Sequence, residues 1–257
     1  MIPALRSWTS IHRTDQDNLR LGASLCFVAG ATNAGGFLAV GQYTSHMTGV
    51  VSSIADNMVL GNIGLALAGL IALVAFVCGA MTTAWMVNWS FRHKLQSAYG
   101  GPLMLEAVLL IVFGLFGAGI SVFAGLFVPL TVLLLCYIMG LQNAVITKIS
   151  HAEIRTTHIT CLVTDLGIEL GRLLYVNRIT KLPPVLANRH KLRIQTVLIA
   201  SFFSGSILGA IGFKFLGFIS TLPLACFLVI LVFRSILRDF KTWIDTPRVA
   251  SISRDPD

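Results

Sequence analysis

The sequence contains little charge. Only 12% of its 257 residues are Asp, Glu, Lys or Arg, whereas a soluble domain typically carries about 25%. Hydrophobic residues make up 55% of the chain, and the mean hydropathy is +0.81. So few charges are insufficient to solvate the surface of a soluble globule. We therefore expect hydrocarbon to surround most of the chain, with the lipid bilayer as its main partner.

Motifs of soluble chemistry are also missing. The sequence has no G-x-S-x-G, H-E-x-x-H or P-loop pattern, and its five cysteines form no C-x-x-C pair. The net charge of +8 comes from basic residues at the ends of apolar runs rather than from a basic stripe with interleaved aromatics. We therefore expect a protein that is not an enzyme, binds no nucleic acid, and has no metal or cofactor.

Eight segments have helical character. Two of them are too polar for ordinary spans, namely Met47–Leu60 and His158–Tyr175. The other six are apolar and long enough to cross a bilayer. These six are Leu21–Val40, Ile63–Trp89, Leu103–Ile120, Val122–Ile146, Ile194–Phe213 and Gly217–Phe233.

The positions of Lys and Arg indicate whether the two polar segments cross the membrane, because these residues accumulate on the cytoplasmic side. If both segments crossed, Arg92 and Lys94 would lie opposite Arg13 and Arg20. If each segment enters the membrane and returns to the same side, Lys214 is the only one of the basic loop residues that remains outside. The pattern predicts an all-α membrane protein with six transmembrane helices, two re-entrant half-helix segments and both termini cytoplasmic. A single membrane domain, 21–238, then lies between cytoplasmic segments 1–20 and 239–257.

The chain also contains an internal repeat. A G-x-x-N-A motif occurs at Gly30–Ala34 and again at Gly140–Ala144, and a T-[S/T]-H-x-T motif occurs at Thr44–Thr48 and Thr156–Thr160. Both pairs keep their order and nearly the same separation, which makes chance unlikely. Repeat one is 21–120 and repeat two is 122–238. Three crossings in each half is an odd number, so the second copy is predicted to be inverted, as in many secondary transporters.

The broken segments are predicted to form a binding site near the middle of the bilayer. Two opposed half-helix N-termini, with free N–H groups and a positive dipole end, suit an anion or another polar solute. Alternatively, the hydroxyls only cap the half-helices, and the asparagines only pin them. The histidines suit hydrogen bonding or proton coupling. The candidate binding residues are Asn33, Thr44, Ser45, His46, Thr48, Asn143, Thr156, Thr157, His158 and Thr160.

Acidic residues within the membrane domain are few and costly. Asp56 and Asp165, one in each polar segment, are candidates for cation or proton coupling. Glu169 is expected to pair with Arg172, and Glu106 with the basic loop Arg92–Lys94.

Three stretches resemble a known family. They are GATNAGGFLAVGQYTSHMTG, MGLQNAVITK and IRTTHITCLVTDLG, within Gly30–Gly49, Met139–Lys148 and Ile154–Gly167. They are similar to the YoaK-like family of bacterial membrane proteins of unknown function, over essentially Leu21 to Arg238. The resemblance implies a six-helix, multi-pass protein of the bacterial inner membrane that acts as a transporter, and it implies no particular substrate.

The leading hypothesis is therefore a transporter of a small polar or anionic solute. A channel is one alternative. Another is a non-transporting scaffold that binds a partner through the basic segment Arg172–Arg193, whose charge also suits anionic lipid headgroups. A homo-oligomer is compatible with each of these hypotheses.

Overall fold

The computed structural model describes residues 15–93, 95, 97–120, 124–149, 159–177 and 183–245. Within these ranges the chain is helical and contains no strand. A short 3₁₀ turn, Gly217–Ser220, precedes the last helix. The helices are α1 (Asp15–Val40), α2 (Met47–Val59), α3 (Ile63–Arg92), α4 (Gly100–Ile120), α5 (Ala124–Ile149), α6 (Ile159–Leu174), α7 (Arg189–Leu216) and α8 (Thr221–Asp245).

Each of the eight predicted segments is helical, with shifted ends. Helix α1 begins six residues before Leu21, and therefore includes part of the predicted N-terminal segment. Helix α7 begins five residues before Ile194, because the Asn188 side chain caps it by accepting the N–H groups of His190 and Lys191 at 3.0 and 3.1 Å. Helix α8 continues past the predicted domain end at 238.

Four stretches of the described residues are long and apolar enough to cross a membrane. The last of them contains α7, the 3₁₀ turn and part of α8. Helix α4 adds a shorter apolar stretch, Gly100–Leu115. The four stretches are Gln16–Val40, Ile63–Arg92, Pro129–Lys148 and Arg189–Phe233.

Helices α1 and α7 run parallel and touch backbone to backbone. A Cβ on Gly205 would meet the carbonyl of Phe27, and one on Gly209 would meet the carbonyl of Ala31. Residue numbers rise together along the two helices, so their directions agree. Small residues permit such close crossings in membrane helices.

Helices α3 and α5 form a second parallel pair with the same kind of contact. A Cβ on Gly79 would meet the carbonyl of Tyr137, and one on Gly140 would meet the carbonyl of Phe76. Further along, the Thr83 hydroxyl donates to the Leu141 carbonyl at 2.9 Å.

Two other pairs are antiparallel. The Thr221 hydroxyl at the start of α8 donates to the Leu110 carbonyl of α4 at 3.0 Å, whereas Gly114 of α4 lies near the carbonyl of the earlier residue Phe218, so residue numbers run in opposite directions. Between α1 and α5, Gln142 Nε2 donates to the Leu25 carbonyl at 3.1 Å, whereas Leu135 lies against Gly36. The largest fully buried side chains lie mainly on these helices and include Leu21, Leu103, Phe113, Ile138, Met139 and Leu228.

The two shorter helices each pack against the longer helix that follows. Ile54 of α2 lies against Gly69 of α3, and the chain turns between them at Gly61, whose φ of +77° favours glycine. Helix α6 packs on α7 in the same way, and Glu169 accepts a hydrogen bond from the backbone of Asn188 at the turn between them.

Candidate functional site

Helix α2 begins well along the length of α3. Its first residue, Met47, packs against the cluster of Ala72, Val132 and Cys136. Ala72 is nine residues after Ile63, so the α2 N-terminus lies roughly 14 Å from the start of α3 at the 1.5 Å rise of a helix. The chain reaches this point from α1 through residues 41–46, which are not helical.

The N-cap residue of α2 does not cap its helix. His46 is at the N-cap position and makes no capping hydrogen bond. The Ser45 hydroxyl instead donates to Oδ1 of Asn33 on α1, at 2.8 Å. Thr44 is 1% exposed, and its hydroxyl oxygen has no hydrogen-bond partner. Thr44 and Ser45 therefore do not cap α2, contrary to the capping alternative, and the positive end of the helix dipole is left available.

The His46 ring lies over the first turn of α2. A Cβ placed on Gly49 would overlap the imidazole, so the absence of a side chain there makes room for the ring. His46 and Thr48 are both exposed. The helix therefore presents an imidazole and a hydroxyl beside its uncapped N-terminus.

Asp56 lies away from this cluster. It is exposed, and nine residues separate it from Met47, which corresponds to about 14 Å along the helix. Asp165 of α6 is exposed as well, as is Thr160 in the first turn of that helix. The structure therefore does not place either aspartate in a buried position.

Much of the second motif cannot be located. Thr156, Thr157 and His158 lie outside the described residues. Asn143 is buried on α5, but it is not next to the Ser45–Asn33 pair.

The antiparallel contacts of α1 with α5 fix the depth of the two asparagines. Leu25 is level with Gln142, and Gly36 with Leu135. Asn33 is consequently level with the residues near Tyr137, about 9 Å along α5 from Asn143. The structure brings Asn33 to Ser45 and leaves Asn143 at a different depth.

Glu106 is a buried residue that the sequence interpretation placed wrongly. Its side chain is 0% exposed, and neither carboxylate oxygen has a hydrogen-bond partner. It cannot pair with the Arg92–Lys94 loop because it lies six residues into α4, on the face that carries the buried Leu103 and Leu110. An acid isolated within an apolar run was the available signal.

The expected pairing of Glu169 is confirmed. Its Oε1 accepts from Arg172 at 2.8 Å, and its Oε2 accepts from the Asn188 backbone at 2.8 Å. In the parts of the chain that the structure describes, no three His, Cys, Asp or Glu side chains are grouped so that they hold a metal ion.

Comparisons with known proteins identify the class. The sequence profile of a family described as "Protein of unknown function (DUF1275)" matches residues 21–234. The chain is 32% identical over 164 residues to the UPF0700 transmembrane protein YoaK of Bacillus subtilis (strain 168), an alignment that covers 59% of this chain and 67% of that relative. No solved structure matches. With its apolar helices, the chain is an all-α membrane protein.

Proposed function

The chain belongs to the DUF1275 family, whose function is unknown, and we propose that it transports a small polar or anionic solute across the bacterial inner membrane. The observation that carries this proposal is the uncapped N-terminus of α2, about a third of the way along α3 and beside the Ser45–Asn33 pair and the buried Thr44 hydroxyl. Polar groups in such a place are costly unless they bind something.

Six crossings with two re-entrant segments agree best with the helix directions. Helix α1 opposes α5, and α5 is parallel to α3, so α1 and α3 run in opposite directions. The chain leaves α1 and begins α3 on the same side, and α2 does not carry it across. The same reasoning applies to α6 between α5 and α7. The loop charges then make both termini cytoplasmic.

An inverted repeat is supported by the glycine contacts. Gly30 and Gly140 are the equivalent first residues of the two G-x-x-N-A motifs. Gly30 lies against the backbone carbonyl of Phe202, and Gly140 lies against that of Phe76. The pair α5–α3 is thus the counterpart of α1–α7. The pairs α4–α8 and α1–α5 join equivalent helices and are antiparallel, as a two-fold axis in the membrane plane requires.

Two polar sites at different depths follow from this arrangement. The first contains Asn33, Thr44, Ser45, His46 and Thr48. The second is assigned, through the repeat alone, to Asn143 and to the motif Thr156–Thr160, of which residues 156–158 lie outside the described ranges. The helix N-terminus and hydroxyls suit a carboxylate or another small anion, His46 suits a hydrogen bond or proton transfer, and the exposed Asp56 and Asp165 are proposed for ion coupling.

A solute screen tests the proposal. The purified full-length protein would be heated with a library of small anions and polar solutes, because a binder raises Tm by mass action. Loss of one hydrogen bond to a charged solute corresponds to about a tenfold weaker affinity. We expect Ser45→Ala and Asn33→Ala to weaken binding by that factor. The matched control is Ser204→Ala, since Ser204 is exposed on α7 and bonds only within that helix.

Cysteine labelling tests whether the two motifs are accessible from the two sides of the membrane. Ser45→Cys and Thr157→Cys, each in a cysteine-free background, would be treated with an impermeant thiol reagent from either side. We expect the two sites to react from opposite sides and the bound solute to protect them. Reaction of both from one side, with no protection by any solute, would contradict the proposal. Saturable, gradient-coupled flux in proteoliposomes would then distinguish a carrier from a channel.

A further inference from the structure

A cavity of about 350 Å³ lies between the N-terminal ends of α1 and α7, apart from the α2 N-terminus. We call it the α1–α7 groove. Its polar lining consists of Gln16 and Arg20 from α1 and His190 and Arg193 from α7, all of them exposed. It lies on the N-terminal side of the crossing where the backbones of the two helices touch at Gly205.

The other half of the lining is apolar. Leu19 and Ala23 of α1 face Ile194 and Val197 of α7, and all four are partly buried. The two helices contribute with the same spacing, i, i+3, i+4 and i+7, which places each set on a single helix face. On α7 the apolar part of this face ends at Val197, because Ser201 and Ser204 follow it at i+4 and i+7.

The cationic end of the groove forms no ion pair with an acidic side chain that the structure describes. In the described ranges the ion pair is Arg172–Glu169, and neither Arg20 nor Arg193 takes part in one. Both guanidinium groups also lie near helix N-termini, where the dipole favours negative charge. Arginine binds phosphate through paired N–H groups, more specifically than lysine does.

We propose that the α1–α7 groove binds an anionic phospholipid, with the phosphate between Arg20 and Arg193 and an acyl chain along the apolar wall. A phosphate joined to a hydrocarbon chain matches both halves of the lining. A soluble phosphate would leave the apolar half unused. In the proposed topology this end of α1 faces the cytoplasmic leaflet, but the site does not depend on transport.

Lipid-dependent stability tests the proposal on the purified full-length protein in detergent. Phosphatidylglycerol, phosphatidylcholine and inorganic phosphate would be titrated separately while Tm is measured. We expect phosphatidylglycerol to raise Tm and the other two to have little effect. The double variant Arg20→Gln/Arg193→Gln should bind phosphatidylglycerol about tenfold more weakly, or worse, since it loses charged hydrogen bonds.

A charge-matched control is available on the same helix. Arg189→Gln/Lys191→Gln also removes two exposed cations, but neither residue lines the groove, so binding should remain near the wild-type value. An equal loss in this control would overturn the proposal, because binding would then depend only on total charge. Equal stabilisation by inorganic phosphate would overturn it too, because the site would then hold a soluble anion.

A third variant tests the apolar wall without altering charge. Ala23→Phe fills part of the groove, where the side chain at that position is only partly buried. We expect this variant to fold, to keep its Tm without lipid, and to lose stabilisation by phosphatidylglycerol. Unchanged stabilisation would show that no acyl chain occupies the groove and would contradict the proposal. This measurement remains decisive even if the double arginine variant fails to fold.

Discussion

Glu106 and Glu169 are buried carboxyl groups in opposite surroundings. Glu169 holds together the end of α6, Arg172 and the backbone before α7. Glu106 is fully enclosed in α4, and its oxygens accept no hydrogen bond. A buried polar group without a partner reduces stability, whereas removal of one member of a bonded pair leaves the other unsatisfied. The two residues should therefore respond differently to the same substitution.

We expect the free energy of unfolding of Glu106→Gln to lie within about 1 kcal/mol of the wild-type value, or above it, because the amide carries no charge that has to be buried. Glu169→Gln should lose about 1 to 3 kcal/mol, because the pair with Arg172 and the strong acceptor for Asn188 are weakened. Tm of the purified variants measures both effects. A large decrease in Tm for Glu106→Gln, with no decrease for Glu169→Gln, would mean that these contacts are assigned wrongly.

At the level of helices, the close glycine crossings hold the bundle together. A side chain at Gly205 would collide with the backbone of Phe27, which cannot move aside as a flexible side chain can. We expect Gly205→Val to destabilise the protein by about 2 kcal/mol or more through overpacking. The matched control is Gly167→Ala on α6, where nothing lies within 4 Å of the added Cβ. It should stabilise α6 by up to about 1 kcal/mol.

Thermal unfolding in detergent distinguishes these two substitutions. A Gly205→Val protein with unchanged Tm would show that α1 and α7 are not in backbone contact. A large loss for Gly167→Ala would instead show that α6 packs against something on that face.

The apolar helices were predictable because apolar length alone indicates a membrane helix. Their partners were not, because a glycine within an apolar run does not reveal which backbone it meets. The bond of Ser45 to Asn33 was likewise hidden, since a serine before a helix ordinarily caps it. Glu106 was misjudged because sequence shows its distance from the basic loop but not which face of α4 is buried. Helix α2 begins within the first motif, as the sequence predicted, but the motif does not reveal that His46 leaves the helix N-terminus uncapped.

The whole molecule depends on contacts between its two halves. Helix α1 packs on α7, and α3 packs on α5, so the closest partner of each lies in the other half. The α4–α8 and α1–α5 contacts also join the halves. Neither half can bury its small-residue surfaces alone, and we expect neither to fold stably by itself.

Expression of the chain in two pieces tests this expectation. Residues 1–121 and 122–257, each made alone, should be degraded or aggregate, and co-expression should restore a complex that purifies intact. A monodisperse, protease-resistant piece 1–121 on its own would contradict the inference. The full-length chain treated in the same way is the control.

The α1–α7 pairing also has a consequence for biogenesis. About 150 residues separate the end of α1 from the start of α7, and at a synthesis rate of 5–20 residues per second their translation takes roughly 7 to 30 s. During that time α1 has been made, yet the surface around Gly30 that contacts α7 has no partner. Until α7 is made, the stability of α1 in the membrane must depend on lipid, on the translocation machinery or on a chaperone. A pause or premature release in this interval would leave α1 exposed to proteases that remove orphaned membrane segments.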